Sequence, residues 1–293
     1  MLKIANISKG FGNEKVLNGL NLEVNDSSIF GLVGVNGSGK TTLLRCIAGI
    51  YEPEQGSVTV NGINTYTDET IRKDIFFVSD DPYYPVAANI STLKEFYSSF
   101  YDLDEDVYRK TLNLFNLDEK KSINSFSKGM KRQTMLVFAL SIKPKLLLLD
   151  EAFDGLDPIV RYNLKKTLYE YMEDNDSTVI ISSHNLKELE DICDSFGILE
   201  NGKISTYGDL VESKQNINKY QLAFKDEIDE SVFDQFDILQ KSKEGSVYSL
   251  VIKGDKDKIV SELEKLNPVI LDTLTVNFEE LFIYEHQGGK DNV

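Results

Sequence analysis

Residues 34–41 read GVNGSGKT, with the apolar run SIFGLV before them and apolar residues at helical spacing, Leu43, Leu44, Ile47 and Ala48, after them. A strand that passes through a glycine turn straight into a helix constrains the fold strongly, because the helix must pack back on the sheet to which the strand belongs. The runs KLLLLDE at 145–151 and STVIISS at 177–183 are short, apolar and without alternation, the pattern of parallel strands covered on both faces. These features predict an α/β fold, with the KLLLLDE strand beside the strand that opens the glycine loop.

The rest of the chain divides by pattern. Residues 1–33 read as strands broken by turns, LKIANIS, the turn FGNEK, VLNGLNLEV and SIFGLVG. Residues from about 86 to 142 read as helical in TLKEFYSSFY, DVYRKTLNLFNL and MKRQTMLVFALSI, so a helical subdomain interrupts the sheet. After Tyr207 and Gly208 the style changes. KYQLAF, SVYSLVIKG and PVILDTLTV read as strands, DKIVSELEKL and NFEELFIYEH as short helices. The expectation is a main domain over 1–214 and a small α+β appendage over 215–293.

GVNGSGKT fits the pattern of Gly, four residues, Gly, Lys, and Ser or Thr, which cradles phosphates. Glycines at 34, 37 and 39 let backbone amides converge, and the helix from Lys40 presents its positive end to the same point. Gly34, Asn36, Gly37, Ser38, Gly39, Lys40, Thr41 and Thr42 form the candidate nucleotide-binding set. Lys40 would reach the β- and γ-phosphates, and Thr41 would ligate Mg²⁺. At the end of KLLLLDE, a carboxylate can hold that ion and its neighbour can deprotonate water; Asp150 is assigned to the metal and Glu151 to the general base. His184, just past IISS, would hold the γ-phosphate, the water and Glu151 in register.

Composition removes several function classes. A formal charge of -16 lacks the broad basic surface a general nucleic-acid binder needs, so no nucleic-acid partner is expected. Two cysteines are too few for a disulfide framework, and MLKIANISKG has no long apolar secretory segment, which reads as cytosolic. TMLVFALSI at 134–142 is about half a membrane span and ends at Lys143, so direct membrane insertion is not expected.

Taken in order, GVNGSGKT, FSKGMKRQ, LLLLDEAFDGLDP and IISSH resemble the ATPase subunit of an ATP-binding cassette (ABC) transporter over residues 1–210. The resemblance implies a phosphate-loop core of that type, with an inserted helical subdomain, that binds ATP and Mg²⁺ and hydrolyses ATP. It makes FSKGM the signature loop, usually LSGGQ, whose Ser127 and Gly129 would meet ATP held on a second ATPase subunit packed head to tail. Phe11 matches the aromatic that stacks on adenine, and Gly155, Leu156 and Asp157 match a loop that crosses the dimer interface. Two positions depart from the family's habit. Asp80 stands where Gln is usual and is read as a sensor and metal contact. Lys128 stands where the signature has Gly. The remaining partner implied is a separate transmembrane permease docked near residues 80–90, which places the chain at the cytoplasmic face of the membrane. DEAFDGLDP, YGDL and the α+β tail resemble the bacterial subgroup serving peptide-antibiotic and drug exporters; the alternative is a soluble ABC-type ATPase in assembly, regulation, or ribosome or DNA work.

Overall fold

The computed structural model describes residues 1–209, 216–226, 228–276 and 280, in two compact units, Met1–Tyr207 and Gly208–Val293. The first unit has two sheets. One is antiparallel, in the order β2 (Glu14–Val24), β1 (Leu2–Phe11), β4 (Gln55–Val60), β5 (Ile63–Asn64). The other has six strands, in the order β10 (Lys203–Asp209), β9 (Ser195–Glu200), β3 (Ile29–Val33), β8 (Thr178–Ser183), β7 (Leu146–Leu149), β6 (Ile75–Val78). From β9 to β6 the neighbours are parallel.

The sequence expectation is met for β3, β7 and β8, which are buried along their whole length. It fails on their order: β7 does not lie beside β3, because β8 is inserted between them. Adjacent strands are roughly 4.8 Å apart, so β7 is one strand further from the glycine loop than expected. The gap is bridged by helix α1 (Lys40–Ile47), which follows the loop. Leu43, Leu44, Cys46 and Ile47 of α1 share one buried cluster with Leu2 and Ile4 of β1, Leu20 and Leu22 of β2, Phe30 and Leu32 of β3, Leu148 of β7 and Ile180 of β8. Truncating one such residue, Leu43→Ala for example, costs about 2–5 kcal/mol in cores of this density.

Helices α2 (Ile90–Ser98), α3 (Glu105–Leu114) and α4 (Lys128–Ile142) fill the segment expected to be helical. Each start is written locally. Asn89 and Thr92 form a reciprocal capping box on α2, Asp104 caps α3, and Ser127 caps α4 by accepting from the Met130 N–H. TMLVFALSI lies in the part of α4 whose every residue is buried, so its apolarity belongs to packing. Among the described residues no helix is long and apolar enough to cross a membrane. Helix α5 (Pro158–Asp174) starts after Asp157, and α6 (Leu186–Leu189) follows His184 and Asn185.

The second unit is a separate antiparallel sheet, β12 (Ile238–Glu244), β13 (Val247–Lys253), β11 (Ile217–Ala223), β14 (Ile270–Leu274), with helix α7 (Lys256–Glu264). Tyr220, Leu222, Phe233, Tyr248, Leu250, Ile252, Ile259 and Leu263 form its own core. The expected strands and the DKIVSELEKL helix are present; NFEELFIYEH lies outside the described residues except for Glu280. Strand β12, ILQKSKE, is largely exposed and carries no apolar alternation, so only its pairing with β13 defines it.

Candidate nucleotide site

Helix α1 begins at Gly39, whose φ of 106° is open to glycine and strained for other residues. A Cβ at Gly34 would meet the Ser38 hydroxyl at 2.4 Å and the Leu199 carbonyl at 2.8 Å, so the loop can close this tightly only without one. No side chain caps α1 and its first turn holds no acid, which leaves its N-terminal amides free of an internal anion. Among the described residues the buried Ser38 hydroxyl has no partner. A free helix N-terminus and an orphaned hydroxyl on one glycine loop are what a phosphate would satisfy. The loop borders a cleft of about 510 Å³ lined by Glu14–Val16, Val35–Ser38 and Glu200–Gly202. Phe11, at the end of β1, is 47% exposed and sits edge-on to Tyr51, with ring centroids 5.4 Å apart. Its face is within reach of a cation, since Lys9 Nζ lies 5.5 Å from the ring.

Lys40 is buried and its Nζ donates to the Gly34 carbonyl at 2.6 Å while pairing with Glu151 Oε1 at 3.1 Å. His184 Nδ1 lies 2.9 Å from the other oxygen, Glu151 Oε2. Glu151 itself has φ 50°, a left-handed conformation that costs a residue with a Cβ about 1–3 kcal/mol. Its backbone holds that shape by donating to Ser182 Oγ at 2.9 Å. One position earlier, Asp150 is fully buried and accepts from Thr41 Oγ1 at 2.8 Å and from Ser182 Oγ at 2.7 Å. The inserted strand thus supplies the link between its neighbours: Leu149 is paired with Ile181, so Ser182 falls opposite Asp150. Ser182 was not singled out in the sequence, although its place in the apolar strand IISS, level with Asp150, was the available signal.

The structure therefore gathers Lys40, Thr41, Asp150, Glu151 and His184 into one network at the C-terminal ends of β3, β7 and β8, where open α/β sheets bind ligands. Asn36, Gly37 and Ser38 line the adjoining cleft, and Thr42 follows Thr41 on α1. Ser127, Gly129 and Asp157 form a second group. Ser127 and Asp157 cap α4 and α5, and a Cβ at Gly129 would lie 3.3 Å from the Gly155 carbonyl. Among the described residues no hydrogen bond or ion pair joins this group to residues 34–42. Asp80 belongs with the second group: it is bound by Arg132 and by Lys128. Arg132, the partner of Asp80 on α4, is 2% exposed.

The family described as "ABC transporter" matches residues 17–154. The chain is 30% identical over 294 residues to the ABC transporter ATP-binding protein YtrB of Bacillus subtilis, covering 99% of each protein. This chain belongs to the ATP-binding subunits of ABC transporters. The ABC subunit is also 28% identical over 303 residues to the methionine import ATP-binding protein MetN of Clostridium tetani, covering 96% of this chain and 94% of that protein. It is 32% identical over 207 residues to the lantibiotic transport ATP-binding protein SrtF of Streptococcus pyogenes, covering 70% and 89%. A solved ATP-binding subunit of an ABC transporter superposes with a TM-score of 0.66 at 29% identity, over 73% of this chain and 92% of that one. The ABC subunit is thus an ATP-hydrolysing enzyme with the α/β fold expected from its sequence.

Proposed function

We propose that the Lys40, Thr41, Asp150, Glu151 and His184 network is the hydrolytic centre, and that it drives a separate membrane permease. In this reading Met1–Tyr207 is the ATPase domain and the second unit is an accessory domain. The observation that carries it is the joint geometry of Glu151, held by Lys40 at 3.1 Å and by His184 at 2.9 Å, beside a loop whose helix N-terminus no side chain caps and whose Ser38 hydroxyl has no partner among the described residues. ATP phosphates would take Lys40 from Glu151, freeing that carboxylate to accept a proton from water while His184 fixes its orientation. Phe11 would stack on the base.

The residues present fit Mg²⁺. Among the described residues no cluster of three His, Cys, Asp or Glu exists that would hold a metal without substrate. Thr41 and Asp150, 2.8 Å apart, supply one hydroxyl and one carboxylate. Mg²⁺ keeps several waters and shares its sphere with substrate phosphates, which suits so small a donor set. When bound it would neutralise charge on the phosphates.

Ser127, Gly129 and Asp157 complete the site in this reading by facing ATP on a second copy. The permease would dock near Tyr83 and Val86, which are 89% and 85% exposed. That docking places the chain at the cytoplasmic face of a membrane. Export of a peptide or amphipathic drug-like molecule is supported by the likeness of DEAFDGLDP, YGDL and the tail to exporter subunits; the names of the relatives include both import and lantibiotic transport. Tagged Glu151→Gln chain, purified from its native host in mild detergent with ATP, tests the reading by mass spectrometry of what accompanies it. A stoichiometric multi-span membrane protein is expected. Ribosomal proteins or a soluble scaffold in its place would overturn the transport assignment.

A further inference from the structure

Asp80 and Lys128, the two departures from the family's habit, touch each other. Lys128 Nζ lies 3.1 Å from Asp80 Oδ1. Arg132, one turn further along α4, binds the same oxygen and also donates to the backbone carbonyl of Asp154. Lys128 Nζ is 3.5 Å from the Asp154 carboxylate. Two anions and two cations from three segments form one compensated cluster: the segment after β6, the start of α4, and the loop after Glu151.

Each of those segments carries part of the proposed site. The last residue of β6, Val78, accepts the Asp150 N–H at 2.9 Å. Lys128 stands between Ser127 and Gly129, and Asp154 stands between Glu151 and Asp157. Helix stability does not account for Lys128: at the positive end of α4 a cation is unfavourable, and the first turn holds no acid to offset it. Fold stability does not account for Lys128 either, since a pair whose lysine is 59% exposed contributes little. Arg132 differs: a guanidinium 2% exposed needs a counter-charge, and among the described residues Asp80 is the one that pairs with it.

We propose that Lys128 and Arg132 are positioning residues. Through Asp80 and Asp154 they fix the start of α4, Ser127–Gly129, against the strand end that bears Asp150 and Glu151. Asp80 anchors this tether and does not ligate the metal, because ligation would require it to shed both cations. The two departures are then one change: an acid at 80 calls for a cation at 128. The proposal rests on the hydrolytic reading of the site above.

The test is ATP hydrolysis by the full-length chain at varied ATP and Mg²⁺. Lys128→Ala should lower kcat at least about tenfold, as misplacement of an active-site element does, with KM for ATP changed less than about twofold. Lys128→Arg should restore most of the rate. Asp80→Asn should lower kcat with the half-saturating Mg²⁺ unchanged, and adding Lys128→Ala to it should cost no more. Since Asp80→Asn strips a buried arginine of its partner and can unfold the chain, the exposed Lys128 pair of variants decides by itself. Undiminished kcat in Lys128→Ala overturns the tether, and so does a rise in half-saturating Mg²⁺ in Asp80→Asn that excess Mg²⁺ corrects. A wild-type chain that does not turn over ATP would instead overturn the reading of the site itself.

Discussion

Glu151 holds a backbone conformation that its side chain disfavours, and it is fixed there from both ends: Ser182 binds its N–H, while Lys40 and His184 divide its carboxylate oxygens. Strain maintained by that many partners belongs to chemistry more than to stability. Glu151→Gln keeps the shape and loses the proton acceptor. It should cut the steady-state ATPase rate roughly 100-fold or more, the usual worth of a general base, while equilibrium binding of a fluorescent ATP analogue stays within a few-fold. A variant that turns over at the wild-type rate removes Glu151 from the base role. At this scale the phosphate loop was readable because its chemistry is local: glycines, Lys40 and Thr41 lie within eight residues. Asp150 and Glu151 were readable from a strand end. Ser182 and the Asp80, Lys128 and Arg132 cluster were not, since their partners lie 22 to 52 positions away along the chain.

Caps and buried faces decide the elements, and Asp104 illustrates how. It accepts the Val107 N–H at the start of α3 and pairs with Lys143 Nζ at 2.8 Å, just past the end of α4, so one carboxylate joins two helices. The hydrogen bond from Lys143, and then that from Val107, hold its pKa below the ordinary value. A carboxyl whose folded pKa is depressed contributes stability above its unfolded value, about 3.9, and loses that contribution as pH falls through the lower folded value. Asp104→Ala should therefore cost about 1 kcal/mol at neutral pH, read from urea midpoints. The gap should narrow as the buffer approaches about pH 3; a gap constant across that range contradicts the account. The strands β3, β7 and β8 and the helical segment were legible from apolar runs and periodicity. Their lateral order was not, because identical buried strands carry no label for which neighbour each takes. Strand β12 was missed for the opposite reason: its polar sequence gains a strand's shape only from β13.

Two units with separate cores make the molecule, and the residues of the proposed ATP site lie in the first. Calorimetry should accordingly resolve two transitions, with ATP and Mg²⁺ raising only the cassette's, by about 2.7 kcal/mol at a ligand concentration 100 times Kd. A single transition that shifts as a whole would show the units unfold as one. The sequence places the domain boundary at 214/215, a few residues past the change of pattern at Tyr207 and Gly208 where the two units divide, but nothing in the sequence or the core of the second unit announces a chemistry for it. The largest claim at this scale is that ATP is shared between two copies, since the group formed by Ser127, Gly129 and Asp157 makes no hydrogen bond or ion pair with residues 34–42 of its own chain among the described residues. Light scattering of the Glu151→Gln chain with and without ATP and Mg²⁺ tests that claim most directly. The account predicts a monomer without nucleotide and a dimer with it; a chain that binds ATP and remains a monomer at saturation would contradict it.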